Sequence, residues 1–363
     1  MRKAWLAACL AIGLSDCKYP SVCDEVDFQC SALALIAFVK QPRFVFVANQ
    51  TSDTISMYRI LPGGTLVTNG SISTGTGSGP RGLAVDNLSR YLYVSNVTNS
   101  TIHQYAIDPV TGTLSLRSTI ASGNYPIRLT VEPGGAFLLA PNNGVTTVST
   151  YEINPATGAL TDRGTSPTAC GSDPQDVRVD SARRFAYVAC QASNLVSIRS
   201  FDPVTGALGA LSTIAGNGPI GAAIDPAGRL LFTAAYGGNT LSTYTINSST
   251  GLLTAATSPG AGSNPQAVTL HPQGSFAYVT NYTSSNISMF TLDPATSAPV
   301  FVQNVSTGTN PMMTTIDPLG QFAYTADFTG NTISMFAIAS GQLTSLGTIG
   351  AGTGPRTAQA VSF

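Results

Sequence analysis

Three arginines follow a recurring proline by one or two residues, in Pro80-Arg81, Pro126-Ile127-Arg128 and Pro355-Arg356. Guanidinium forks gathered at one place would hold a carboxylate or phosphate through paired N–H donors. The same positions elsewhere in the chain carry Gln175-Asp176, Ile220, Gln266 and Met312-Met313. Asp176 and Arg178 alternate onto one face of a strand, where they are spaced to pair. Arg81, Arg128, Gln175, Asp176, Gln266 and Arg356 therefore form a candidate anion-binding set. In the competing reading, the arginines bond carbonyls of neighbouring repeats or stay solvated.

Other chemistry is poorly supplied. The chain has two histidines. Aligned by repeat, His271 stands in the column of Asp86, Glu132, Asp180, Asp225 and Asp317, which opens a turn. His103 stands in the column of Ser56, Ser149, Ser197, Ser242, Ser288 and Ser334, on a strand. A general base must reach its substrate, and both columns read as structural, so no catalytic residue is assigned. A zinc site needs three or four clustered ligands, and no such cluster is evident, so neither metal nor cofactor is expected. No G-x-S-x-G elbow occurs. The glycine runs Gly75–Gly79 and Gly350–Gly354 lack the lysine of a phosphate loop and recur at repeat junctions, as turns do.

The elements that must position these residues come from the repeat itself. Pro80, Pro126, Pro174, Pro219, Pro265, Pro311 and Pro355 stand 44 to 48 residues apart. Each interval contains four short runs of β-branched and aromatic residues bounded by turn signals. In the third these are Asp176–Val179, Phe185–Cys190, Leu195–Phe201 and Ala207–Ile214. Turns such as Asp108-Pro109-Val110-Thr111-Gly112 place an Asx residue, a proline and a glycine where a hairpin reverses. Periods of this size with four strands each predict an all-β propeller. Six repeats are complete, and the ends supply a seventh. Residues 43–79 give its outer three strands, and the segment after Pro355 gives its inner one. The expected architecture is a seven-bladed β-propeller over residues 43–363, closed by pairing of N- and C-terminal strands, which hides edges an open array would expose.

Of 363 residues, 43% are hydrophobic and 10% charged, with net charge −1 and no lysine after Lys40. A nucleic-acid footprint needs clustered Lys and Arg, so nucleic acid is excluded as a partner. Residues 1–17 are laid out as a secretory signal, with Arg2-Lys3, an apolar stretch Ala4–Leu14 and Cys17. Cys17 is the expected lipidation site, although Asp16 makes an imperfect lipobox; cleavage and simple secretion are the alternative. The expected location is the cell envelope, as an outer-membrane or periplasmic lipoprotein touching membrane only through its anchor. Four cysteines remain once Cys9 leaves with the signal and Cys17 carries lipid, and an even number in an exported chain reads as disulfides. The expected pairs are Cys23–Cys30 in the linker, residues 18–42, and Cys170–Cys190 within one repeat. The apolar run Ala32–Val39 is expected to form a short helix, or Leu33–Val39 by spacing an inner strand, so the role of residues 31–39 stays open.

Tyr278-Val279-Thr280-Asn281, Tyr93-Val94-Ser95-Asn96 and Phe46-Val47-Ala48-Asn49 give the chain a further signature. It resembles the YVTN-repeat propellers and, over residues 43–363, the lactonase family of seven-bladed propellers that includes 6-phosphogluconolactonase-type enzymes. That resemblance implies a propeller and a central channel in which histidine, arginine and acidic residues act on a lactone. The histidine is not matched here. The expectation is therefore a non-enzymatic module, binding an anionic small molecule or sugar, or a protein on one propeller face. The alternative is a lactone hydrolase resembling 6-phosphogluconolactonase.

Overall fold

The computed structural model describes residues 42–363 apart from Ser172, and no helix occurs among the described residues. The expected strands form seven four-stranded antiparallel sheets, here blades I to VII. Blade VI is typical. Its inner, second, third and outer strands are Pro265–Leu270, Phe276–Asn281, Asn286–Leu292 and Pro299–Ser306. Phe276–Asn281 is buried on both faces, whereas Pro299–Ser306 is mostly exposed. That gradient explains why second strands lack a polar alternation: blades stack face to face and cover both sides. The cores lie between blades. Phe232, Leu241, Val279 and Phe290 join blades V and VI, and Val47, Tyr58, Tyr324 and Ile333 join VII to I.

Blade I takes its inner strand Pro355–Ser362 from one end of the chain, and Pro42–Asn49, Thr54–Ile60 and Leu66–Ser73 from the other. Val47 sits opposite Ala358. In the third repeat, blade IV, the strands are Pro174–Val179, Phe185–Cys190, Leu195–Phe201 and Leu208–Ala215. Cys170 and Cys190 form the expected disulfide, with Cα atoms 4.8 Å apart. The expected leader, lipidation at Cys17, the Cys23–Cys30 pair and the segment 31–39 lie outside the described residues.

The signature residues tie one blade to the next. Tyr93, Tyr187, Tyr278 and Tyr324 are fully buried. Each hydroxyl donates to a glycine carbonyl in the following blade: Gly158, Gly251, Gly341 and Gly64, at 2.8 to 3.1 Å. The Tyr324–Gly64 bond closes the ring. Gly64 has φ +88°, and a Cβ there would lie 2.0 Å from the Phe322 ring. Asn49, Asn142 and Asn281 each donate to two Oγ or Oδ atoms of their own third strand. They also pack on Gly352, Gly123 and Gly262 of the loop entering the blade.

Candidate functional site at the channel mouth

The seven inner strands ring the central channel: Pro355–Ser362, Pro80–Val85, Thr130–Val131, Pro174–Val179, Pro219–Ile224, Pro265–Leu270 and Pro311–Ile316. Pairing of most with their second strands is irregular just after the proline. In blade I, for instance, Asn49 pairs with Pro355 and Ala48 with Thr357, leaving Arg356 as the extra residue. Gln175, Gln266 and Met312 are skipped in the same way, and the shift in blade II spans Arg81. Such a bulge re-aims a side chain. In blade III the ladder is shorter still, with regular pairing confined to Thr130–Val131, and it is Arg128 that turns to the channel.

Arg81, Arg128 and Arg356 consequently line one narrow gap of about 10 Å³, with Met312, Met313 and Ile127. Three guanidiniums meet there. Arg128, 13% exposed, crosses the channel: Nη1 lies 3.2 Å from Asp176 Oδ2 and Nη2 donates to the Gln266 carbonyl at 3.0 Å. Asp176 is fully buried and also receives Arg178 Nη2 at 3.1 Å and the Ala222 amide at 3.0 Å. Gly221 makes room for this crossbar, since a Cβ there would lie 2.9 Å from Arg128 Nη1. Arg356 stacks on the Phe328 ring at 3.9 Å and donates through Nε to Gln50. Burial, then the charges of Arg356 and Arg128, push the Arg81 pKa down to about 9, so it stays cationic at neutral pH. Burial lowers Arg128 and Arg356 as well.

Tyr125 is a mouth residue that the sequence reading missed. Its side chain lies beside Arg81 and favours the charged form of the guanidinium. It precedes the blade proline with φ +57°, where other blades carry Gly79, Gly218, Gly354, Asn264 and Asn310 at φ +55° to +68°. A bulky residue in the left-handed region is strained and is kept only where the surroundings hold it. A tyrosine in a glycine and asparagine column was the available signal.

The candidate set is thus divided. Arg81, Arg128 and Arg356 come together, Asp176 anchors Arg128, and Gln266 takes part through its backbone carbonyl. Gln175 does not join them, because its amide is held by Asp173 and Gln191 at 2.6 and 2.9 Å. Arg128 does bond a carbonyl, that of Gln266, but across the channel and not in a neighbouring repeat, whereas Arg178 donates to Ala222 in the next blade. His271 is buried, with Nε2 3.0 Å from the Gly320 carbonyl, and His103 lies on a third strand against the Tyr105 hydroxyl. Both fill structural positions. Among the described residues no three His, Cys, Asp or Glu side chains cluster as metal ligands would.

The ring has many structural counterparts. The periplasmic gluconolactonase of Pseudomonas aeruginosa superposes with a TM-score of 0.80 at 19% identity, over 89% of this chain and 99% of that one. A candidate 6-phosphogluconolactonase from Bacteroides fragilis gives 0.78 at 19% identity, over 88% and 98%. Hydrazine synthase from Kuenenia stuttgartiensis gives 0.62 at 16%, over 80% and 97%. Such identities speak to fold, and the last case shows that the ring alone does not set the chemistry. No curated protein sequence matches significantly. The family model "Lactonase, 7-bladed beta-propeller" matches residues 14–131, 118–219 and 254–359. This match overturns the expectation of a non-enzymatic module. The missing histidine carried too much weight there, because guanidiniums can supply the charge stabilisation that ester hydrolysis needs. By sequence and by blade architecture, the chain belongs to the lactonase family of seven-bladed β-propellers.

Proposed function

We propose that this chain hydrolyses a sugar-derived lactone at the arginine-lined mouth. The observation that carries the reading is the convergence of Arg81, Arg128 and Arg356 on one cavity, where the carboxylate of Asp176 is already engaged. Lactone opening converts a neutral ester into a tetrahedral oxyanion and then a carboxylate. Donors fixed before the reaction stabilise that growing charge more than they stabilise the substrate.

Water adds to the carbonyl carbon, the ring C–O bond breaks, and one water proton passes to the departing alkoxide. The other proton leaves with the solvent, and the product is a hydroxy acid carboxylate. Arg81, half-buried beside Tyr125, is assigned to the oxyanion. Arg356, held flat by Phe328, is assigned to the substrate's polar or anionic end, and Tyr125 to proton delivery at the ring oxygen. Arg128 is a positioning residue, tied at two points across the channel. The buried Cys170–Cys190 disulfide supports an oxidising compartment. We place the enzyme at the cell envelope, held by lipid on Cys17; loss of labelled-lipid incorporation in Cys17→Ala checks this.

The test is a pH-stat assay of the full chain on glucono-δ-lactone and on its 6-phosphate. Opening faster than buffer on at least one is expected, with the hydroxy acid product inhibiting competitively. Rates equal to buffer on both would overturn the reading.

A further inference from the structure

Below the Arg128 crossbar the channel holds a second cavity of about 440 Å³, set among the lower halves of the inner strands of blades III to VII. That volume falls within the ordinary range of small-molecule sites. Its walls are more apolar than polar, with Val131, Val179, Ile224, Leu270 and Ile316 among them. The polar wall groups are already engaged. Thr130 and Thr269 donate to the Val177 and Thr314 carbonyls, Thr314 bonds Thr325, and Thr315 accepts from the Ala360 amide. Glu132 is also on the wall, but Arg183 and the amides of Gly134 and Ala136 hold both its oxygens.

Arg178 is the one cation on this wall among the described residues, and its side chain is 30% exposed. Nε is committed to the Ala222 carbonyl and Nη2 to Asp176, while Nη1 makes no such bond. Asp176 is shared with Arg128, so two guanidiniums face one carboxylate. A partly buried excess of one positive charge, one open N–H edge and walls more apolar than polar match a monoanion with a hydrocarbon body. A phosphate dianion would lack donors for its remaining oxygens.

We propose that this lower cavity is a second ligand site, which takes a small aliphatic monocarboxylate with its carboxylate on Arg178. The site is independent of the lactonase reading, because none of the mouth arginines lines it.

The test is titration calorimetry of the full chain with hexanoate, hexan-1-ol and inorganic phosphate. Hexanoate is expected to bind at least tenfold more tightly than either comparison compound. Arg178→Gln should weaken it at least tenfold. Thr269→Phe, which fills the cavity from another wall and spares the arginine, should do the same. Arg81→Ala combined with Arg356→Ala should leave hexanoate binding within about twofold. The proposal is overturned by absence of hexanoate binding, by equal binding of hexan-1-ol, or by binding that survives both cavity variants and disappears with the mouth arginines.

Discussion

At the ends of the second strands, four blades carry Asn49, Asn96, Asn142 and Asn281 and a fifth carries Asp327. These side chains bond their own third strand, and most also pack on the incoming loop. One residue after the boundary proline, the blades instead carry Arg356, Arg81, Ile127, Gln175, Ile220, Gln266 and Met312. Both regions come from the same repeat. Where the blades agree, the shared residue satisfies a demand every blade makes, such as a loop to clip or a glycine carbonyl to reach. Where they differ, no common demand exists, and charge concentrates at one arc of the channel.

Substitutions on the two sides of this comparison should behave differently. Gly64→Ala places a Cβ against the Phe322 ring at φ +88°, and should cost ~3 kcal/mol in denaturant unfolding. It should leave the kcat/KM of the folded fraction unchanged. Asp327 is the exception in the asparagine column, and burial raises its pKa from 3.8 to about 6. The folded state therefore binds its proton more tightly than the unfolded state. Stability from this group is complete below pH 3.8 and is lost as pH climbs through 6. Asp327→Asn should consequently raise stability by about 3 kcal/mol at pH 7 and change nothing below pH 4, as thermal unfolding at the two pH values would show. Tyr125→Gly should relieve backbone strain and stabilise by about 1 kcal/mol, while kcat/KM for the lactone falls roughly tenfold through loss of proton delivery.

The repeat made the ring legible. The spacing of the prolines, the turn signals and the match of Pro355-Arg356-Thr357 to Pro80-Arg81-Gly82 predict seven blades and their closure. The roles of His271 and of the Asx turns were readable by the same alignment, because each column has one structural job. The mouth was only half legible. Strict strand alternation cannot say that both Arg81, one residue after its proline, and Arg128, two after, face the channel; the bulges and the shortened ladder of blade III decide that. Gln175 has the right position but is captured by Asp173 and Gln191, a loop contact with no sequence pattern. Tyr125 was visible as an odd residue in its column, but its contact with Arg81 depends on a left-handed backbone that only the fold reveals. The absent histidine misled the functional reading, since spacing does not show that three guanidiniums gather at one end of the channel.

The most direct test of this account is the wild-type chain beside Arg81→Ala combined with Arg356→Ala, with lactone opening and thermal unfolding measured on the same samples. Removing fixed donors at a developing oxyanion typically costs 10²- to 10³-fold per group. The account predicts a fall in kcat/KM of at least about 100-fold, with a Tm that is unchanged or raised because two crowded cations are gone. Unchanged lactone opening in the double variant, or a loss that merely follows unfolding, would contradict it.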